Sequence, residues 1–200
     1  MFEPNYFRQV MHHKKNIGAI VLLVFVLGII LTLLQPFEYR ANVKFLVVQK
    51  AVVGYDAYSA AKSAEKIGSN LAQVVYSNSF FTKVLNAGFG IDEKYFKKDE
   101  NQKRKQWQKM VDANLVGTTS VLSIDVFHKD RDQSLKLSQA VAYVLSTQSA
   151  EYVGIGDIDL KMIESPLATK YIDRPNFLVN GLVSILVGLL VGIGWVIVRS

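Results

Sequence analysis

Residue types that could do chemistry are scarce in the long middle part of this sequence. His128 is the only histidine between residues 36 and 176, and the chain contains no cysteine. Zinc-type metal sites take several histidine or cysteine ligands, and nucleophilic catalysis pairs a nucleophile with a base. We therefore expect His128 to be a surface residue at the end of a strand. The sequence predicts no catalytic residue, no metal site and no cofactor.

Three acidic residues and one glycine pair are the remaining candidates for a small-ligand site. Asp157, Asp159 and Glu164 carry the oxygen ligands that a divalent cation prefers. Alternation places the two aspartates on the solvent side of a strand, so we expect ordinary solvation. The Gly154–Gly156 segment lacks the third glycine and the strand-to-helix setting of a nucleotide loop, and it predicts a turn.

A basic run between Lys97 and Lys109 could hold an anionic polymer. Its cations supply charge, and the indole of Trp107 within it could stack on a sugar ring. A charge run on a helix is more often simply a solvated face, so both interpretations stay open. The candidate polymer contacts are Lys103, Arg104, Lys105 and Trp107.

Two apolar stretches without any charged residue frame the sequence, Asn16–Gln35 and Pro175–Val198. Each is long enough to cross a hydrocarbon core of about 30 Å. A cleaved signal peptide is the competing interpretation of the first stretch, but Gln35-Pro36 is a poor cleavage site. We therefore predict a membrane hairpin.

Basic residues close to the spans predict which side of the membrane holds the middle part. Arg8, Lys14 and Lys15 precede the first span and Arg199 follows the second, and such flanks are retained in the cytoplasm. We expect a two-pass protein of the plasma (inner) membrane with both termini cytoplasmic. The predicted parts are a cytoplasmic tail (1–15), a transmembrane helix (16–35), an extracytoplasmic domain (36–176), a second transmembrane helix (177–198) and a cytoplasmic C-terminus (199–200).

The net charge of +6 is partly a consequence of these flanks. The middle domain holds 19 Lys and Arg against 16 Asp and Glu, so only +3 belongs to it. This balance gives no reason to expect nucleic acid as a partner.

Alternating and helical patterns predict an α+β fold for the middle domain, with about three strands and three to four helices. We expect the first and last strands to pair, because each adjoins a span. The predicted strands are Tyr39–Gln49, Ser120–Phe127 and Asp157–Glu164. The predicted helices follow Asp56, cover Ser79–Asn86 and Asp92–Met110, and begin after a cap at Asp130 or Asp132.

Glycines in the second stretch predict close packing of helices in the membrane. Gly188 and Gly192 form a small-xxx-small pair, and Gly181 lies one heptad earlier. Such glycines let two helix backbones approach in lipid. If the protein is a homo-oligomer, these three glycines are the candidate packing face.

The order of parts resembles the Wzz-like chain-length determinants, also called polysaccharide co-polymerases, and the shorter adaptors of capsule tyrosine kinases. The resemblance covers the whole chain and is most specific at three segments. These are Tyr39–Val47, Ser123–Asp130, and the connector that contains Ser165-Pro166 and Arg174-Pro175-Asn176.

The resemblance implies a non-enzymatic homo-oligomer that regulates the chain length or export of a surface polysaccharide, such as lipopolysaccharide O-antigen, capsule or exopolysaccharide. It implies a polysaccharide polymerase or export machinery as partner, besides membrane lipid, and it places Pro166, Pro175 and Asn176 in the connector to the second span. The connector is poorer in proline than is usual, and the domain is short. Two alternatives remain: an adaptor for a separate cytoplasmic tyrosine kinase, and an anchor of another envelope assembly.

Overall fold

The protein consists of two compact units. A computed structural model describes residues 13–49, 56–153 and 158–199. One unit is the domain Glu38–Asp173, and the other contains the chain up to Phe37 and from Arg174 onward. The predicted turn at Gly154–Gly156 and the carboxylate of Asp157 lie outside the described residues.

The described elements confirm the α+β class and the two apolar helices. Helices and strands alternate irregularly along the chain, with one short 3₁₀ turn at Glu93–Tyr95. In chain order they are α1 (Lys14–Leu33), β1 (Tyr39–Gln49), α2 (Ala57–Val75), α3 (Asn78–Leu85), α4 (Glu100–Met110), β2 (Val111–Leu115), β3 (Val121–His128), α5 (Arg131–Gln148), α6 (Ala150–Val153), β4 (Ile158–Ala168) and α7 (Phe177–Arg199).

The helices α1 and α7 are both long and apolar enough to cross a membrane. The first begins two residues before the predicted span, because Lys14 and Lys15 already form its first turn. The second contains the whole predicted span 177–198.

The domain is built on one antiparallel sheet with the strand order β2-β3-β1-β4. Within it, β1 lies between β3 and β4, pairing Tyr39 with His128 on one side and Gln49 with Ile158 on the other. The predicted pairing of the first and last strands is confirmed. The expectation of three strands is wrong, because Val111–Leu115 forms a fourth strand beside β3. The expectation of three to four helices in the domain is also wrong, because the described residues form five, the additional one being the short α6.

Side-chain caps fix where the helices begin. Asp56 accepts a hydrogen bond from the Ser59 amide, which satisfies an amide that the first turn of α2 leaves unpaired. Asp130, not Asp132, caps α5, since its carboxylate accepts from the backbone amides of Asp132 and Gln133. The helix predicted at Ser79–Asn86 begins slightly earlier, after a Ser77 cap.

One face of the sheet and the apolar sides of the helices form the core. Alternate residues of β1 point into it, as the period of a half-buried strand requires. The side chains buried from β1 and β3 are Val43, Phe45, Val47, Leu122, Ile124 and Val126, and those from α2 and α5 include Leu71, Val75, Leu137, Val141 and Leu145.

The segment Asp92–Met110 is not the single solvated helix that its composition predicts. The 3₁₀ turn gives way to an extended residue at Phe96, and α4 begins only after the cap at Asp99. Trp107 and Met110 are buried in the core, one helical turn apart. Two large apolar residues at this spacing outweigh the polarity of the rest of the helix.

The placement of Pro166 in the connector is wrong, because it lies within β4. In the pairing with β1, Asn42 is opposite Leu167 and Lys44 is opposite Glu164, so two residues of β4 face Val43 alone. Proline has no amide hydrogen, and within sheets it is tolerated at such bulges and on edge strands. Among the described residues β4 pairs only with β1, so it is an edge.

Both chain connections leave the domain at one end of the sheet. The Asp173 amide donates a hydrogen bond of 2.9 Å to the Glu38 carbonyl. We call this the connector end; it also holds the beginning of β1 and the end of β3, because Tyr39 pairs with His128. The opposite end holds Gln49 and Ile158.

Candidate functional site

His128 is buried and has a structural environment, so its expected place on the surface is wrong. Only 5 % of the residue is exposed, and its ring lies 4.2 Å from that of Tyr95, between centroids. The Asp130 amide donates a hydrogen bond of 2.9 Å to Nδ1, which must therefore be unprotonated. Burial lowers the pKa of His128, so the ring is neutral at pH 7.

The candidate acidic residues are engaged in ion pairs. Glu164 contacts Lys44 across β4 and β1, with 2.7 Å between Oε2 and Nζ. Asp159 lies 3.9 Å from Lys161, on the exposed side of β4. Within residues 13–49, 56–153 and 158–199, no group of three histidine, cysteine or carboxylate side chains could hold a metal ion.

A charged network on the sheet joins the two ends of the domain's chain. Arg40 Nε lies 3.3 Å from Asp173 Oδ1 and 3.9 Å from Asp125 Oδ1. Asn42 donates a hydrogen bond of 2.7 Å to Asp125. Burial raises the pKa of the Asp125 carboxyl, and the Asn42 hydrogen bond and the Arg40 charge oppose that rise. Alternation marked these residues as polar, but nothing in the sequence indicated that they meet.

The indole of Trp107 has no exposed face that could stack on a sugar. The residue is 0 % exposed, its Nε1 donates a hydrogen bond of 2.8 Å to the Val75 carbonyl, and its ring stacks on Phe81. Lys103 lies half-covered, 3.6 Å from Glu100 and above the Phe81 ring. The polymer contact predicted here therefore retains only Arg104 and Lys105 as exposed side chains.

The exposed side of α4 carries a basic arc, defined here as Arg104, Lys105 and Lys109. These residues lie on the helix face away from buried Trp107 and Met110. No acidic residue occurs between Lys103 and Lys109. The arc is the most concentrated positive charge of the described helices.

An apolar groove lies between α5 and the edge strand β4. Its volume is about 400 Å³. Next to it β4 exposes five consecutive residues from Lys161 to Ser165, including Ile163 at 54 %. The lining residues are Phe89, Gln139, Ala142, Tyr143, Ser146, Met162 and Pro166.

The three glycines of α7 pack against α1 of the same chain. A Cβ at Gly188 would lie 2.9 Å from the Val21 Cα, and one at Gly192 would lie 3.0 Å from Ile17. Gly181 faces the ring of Phe25. This glycine face therefore contacts a helix of the same chain, and its role in packing between subunits stays a prediction.

Polar side chains support the same helix pair near one end. Asn176 caps α7 by accepting a hydrogen bond of 3.1 Å from the Val179 amide, directly after Pro175. One turn later, Asn180 Nδ2 lies 3.3 Å from the Thr32 hydroxyl of α1. Pro175 and Asn176 therefore precede the second apolar helix, and Asn176 caps its beginning.

Comparison with known proteins adds no family assignment. No protein-family model matches the chain, and no curated protein matches it either.

Proposed function

We propose that the protein is a non-enzymatic, oligomeric membrane scaffold that regulates the chain length or export of a surface polysaccharide. The observation that carries the proposal is the pairing of β1 with β4. Each strand adjoins a candidate span, so the sheet holds the two membrane connections side by side. A domain that is joined to the membrane by two chain segments at one end turns less freely than a domain on a single tether, which suits a scaffold.

The proposed placement is extracytoplasmic, with both termini in the cytoplasm. Two apolar helices support a two-pass arrangement. The basic flanks around Lys14 and Arg199 favour retention of the ends in the cytoplasm. The domain then lies on the side where surface polysaccharides are polymerised and exported.

The groove beside β4 is the proposed contact between subunits. An edge strand with exposed Met162, Ile163 and Leu167 offers both unpaired backbone groups and apolar surface. The opposite edge of the sheet, β2, is also unpaired on its outer side among the described residues. A second copy of the chain fits this role, since two different edges on one molecule allow a head-to-tail contact that can close into a ring.

A ring of subunits would act on polysaccharide length through position alone. Each subunit would bind a polymerase or exporter at a fixed distance from the adjacent subunits. Because the ring binds through several copies at once, contacts that are weak singly would give a stable complex. No proton or group transfer by the chain is required.

The test is the length distribution of surface polysaccharide on a gel. The parent cell is compared with a deletion strain and with a strain that regains the gene. Loss or shift of the modal length on deletion, with restoration by the gene, is the expected result. An unchanged distribution would overturn the proposal and favour an adaptor or anchor role.

A further inference from the structure

The helix that carries the basic arc ends at the connector end of the domain. Residue Met110 closes α4, and Val111 begins β2 with no residue between them. Val111 pairs with Val126, which in turn pairs with Ala41 near the beginning of β1. The last turn of α4 therefore lies level with the residues through which the chain enters the domain.

Short connections tie this end of the domain to the two apolar helices. Only Leu34–Phe37 separates α1 from Glu38, and only Arg174–Asn176 separates Asp173 from α7. At about 3.5 Å per extended residue, these linkers reach roughly 14 and 10 Å. The connector end is thus joined to both candidate spans by linkers of only four and three residues.

An exposed tyrosine lies in the connection to the second helix. Tyr171 is 75 % exposed, next to half-exposed Ile172, and the ammonium of Lys170 lies 5.7 Å from the centre of its ring. Tyrosine and lysine are enriched where membrane proteins meet lipid headgroups, because each has an apolar body and a polar tip. The described residues of the domain leave most of this tyrosine uncovered.

Apart from α4, the connector end carries positive and negative side chains close together. The basic arc is therefore the part of this end that is suited to bind an anion. Lys129 and Arg131 are balanced nearby by Asp130 and Asp132, and Asp130 caps α5. Within α4 the acidic residue Glu100 is at the first turn, and the half that follows is purely basic. Phosphate charges at a membrane surface act over about one Debye length, roughly 8 Å.

We propose that Arg104 and Lys105 of the basic arc bind the phosphates of anionic lipid headgroups and hold the connector end of the domain against the membrane. The inference does not depend on the polysaccharide function. It requires only that the two apolar helices span a bilayer.

The test uses the full chain, which has no cysteine of its own. Gln108→Cys places a fluorophore in the middle of the arc, and Tyr58→Cys places a reference fluorophore on α2. Gly68 of α2 lies beside Val47 and Leu115 at the other end of the sheet, and Tyr58 is ten residues further out. Both proteins are reconstituted in nanodiscs that contain a headgroup quencher, with phosphatidylcholine alone or mixed with phosphatidylglycerol.

Quenching at position 108 is expected to rise about twofold or more in the phosphatidylglycerol discs, since each cation near an anionic surface adds to binding. It should fall back when Arg104→Gln and Lys105→Gln are introduced together. The matched control, Lys62→Gln with Lys66→Gln, removes the same charge from α2 and should leave quenching unchanged. The probe at position 58 should not respond to lipid charge.

Two results would overturn the inference. One is equal quenching at position 108 in neutral and anionic discs, with a normal unfolding midpoint of the labelled protein. The other is a probe that responds to a soluble anionic polysaccharide in neutral discs but not to anionic lipid, which would make the arc a polymer contact.

Discussion

The Trp107 indole donates a hydrogen bond of 2.8 Å to the Val75 carbonyl, which joins the helix with the basic arc to the end of α2. The ring also stacks on Phe81, with centroids 4.6 Å apart. Val75 ends its helix, so its carbonyl has no partner in a following turn and the indole supplies one. This contact fixes α4 on the core and leaves its other side to solvent.

Replacement of Trp107 by phenylalanine should destabilise the domain by about 2–4 kcal/mol, because it leaves a buried carbonyl unpaired and a cavity beside Phe81. Chemical unfolding of the full chain in nanodiscs measures the loss. Tyr58→Phe, at a side chain 77 % exposed, is the control and should change stability by less than about 0.5 kcal/mol. Equal stabilities for the two variants would show that the indole is not a core residue.

Substitution of Gly188 by alanine should loosen the helix hairpin. The added methyl would lie 2.9 Å from the backbone of Val21, so one helix must move, at a cost of about 1–3 kcal/mol. Gly194→Ala is the matched control, since nothing lies within 4 Å of its Cβ position. The thermal unfolding midpoint in detergent should fall for Gly188→Ala and should stay unchanged for Gly194→Ala. The reverse order would contradict the packing of α1 against α7.

His128 should make the domain less stable in mild acid. Its pKa is lowered by burial, so the unfolded chain binds the proton first, from about pH 6.5 downward. The contribution of neutral His128 to the free energy of unfolding is therefore fully present above that pH. It declines as the pH falls toward the pKa of the folded state.

The check is the unfolding midpoint at pH 7.5 and 5.5, for the wild-type chain and for His128→Asn. Asparagine can accept the Asp130 hydrogen bond but does not titrate, so its midpoint should change less between the two pH values. An equal or larger decrease in the variant would assign the acid sensitivity to another group.

Charge placed on the edge strand should prevent assembly. Ile163→Lys puts a cation on the exposed edge strand, next in sequence to the groove residue Met162, where a second subunit would have to desolvate it. We expect the mass of the particle in nanodiscs or mild detergent to fall to that of a monomer, with an unaltered unfolding midpoint. Tyr58→Lys, at a residue of α2 that is 77 % exposed and belongs to neither edge of the sheet, is the control. If the wild-type protein already has the mass of a monomer, the proposed oligomer is wrong.

The elements with a regular pattern could be predicted from the sequence. The alternation of β1 gave its bounds of Tyr39–Gln49 directly, and Asp56 and Asp130 are aspartate caps in the position that the pattern requires. Strand β2 was missed because it follows α4 without a turn residue, so its five residues look like the end of the helix.

The rest depended on partners that a single sequence does not show. A glycine face on α7 is equally suited to another subunit or to α1, and the sequence does not show that Gly188 contacts Val21. Trp107 lies in a strongly polar stretch, and its burial follows from the Val75 carbonyl and Phe81, which are distant in sequence. His128 is buried because the segment around Tyr95 folds over it.

The most direct test of the scaffold is the length distribution of surface polysaccharide in a deletion strain that carries either the wild-type gene or the Ile163→Lys variant. We expect deletion to abolish or shift the modal length and the wild-type gene to restore it. The variant, present at an equal level in the membrane, should not restore it. A distribution that is the same in all four strains, the parent included, would contradict the proposed scaffold.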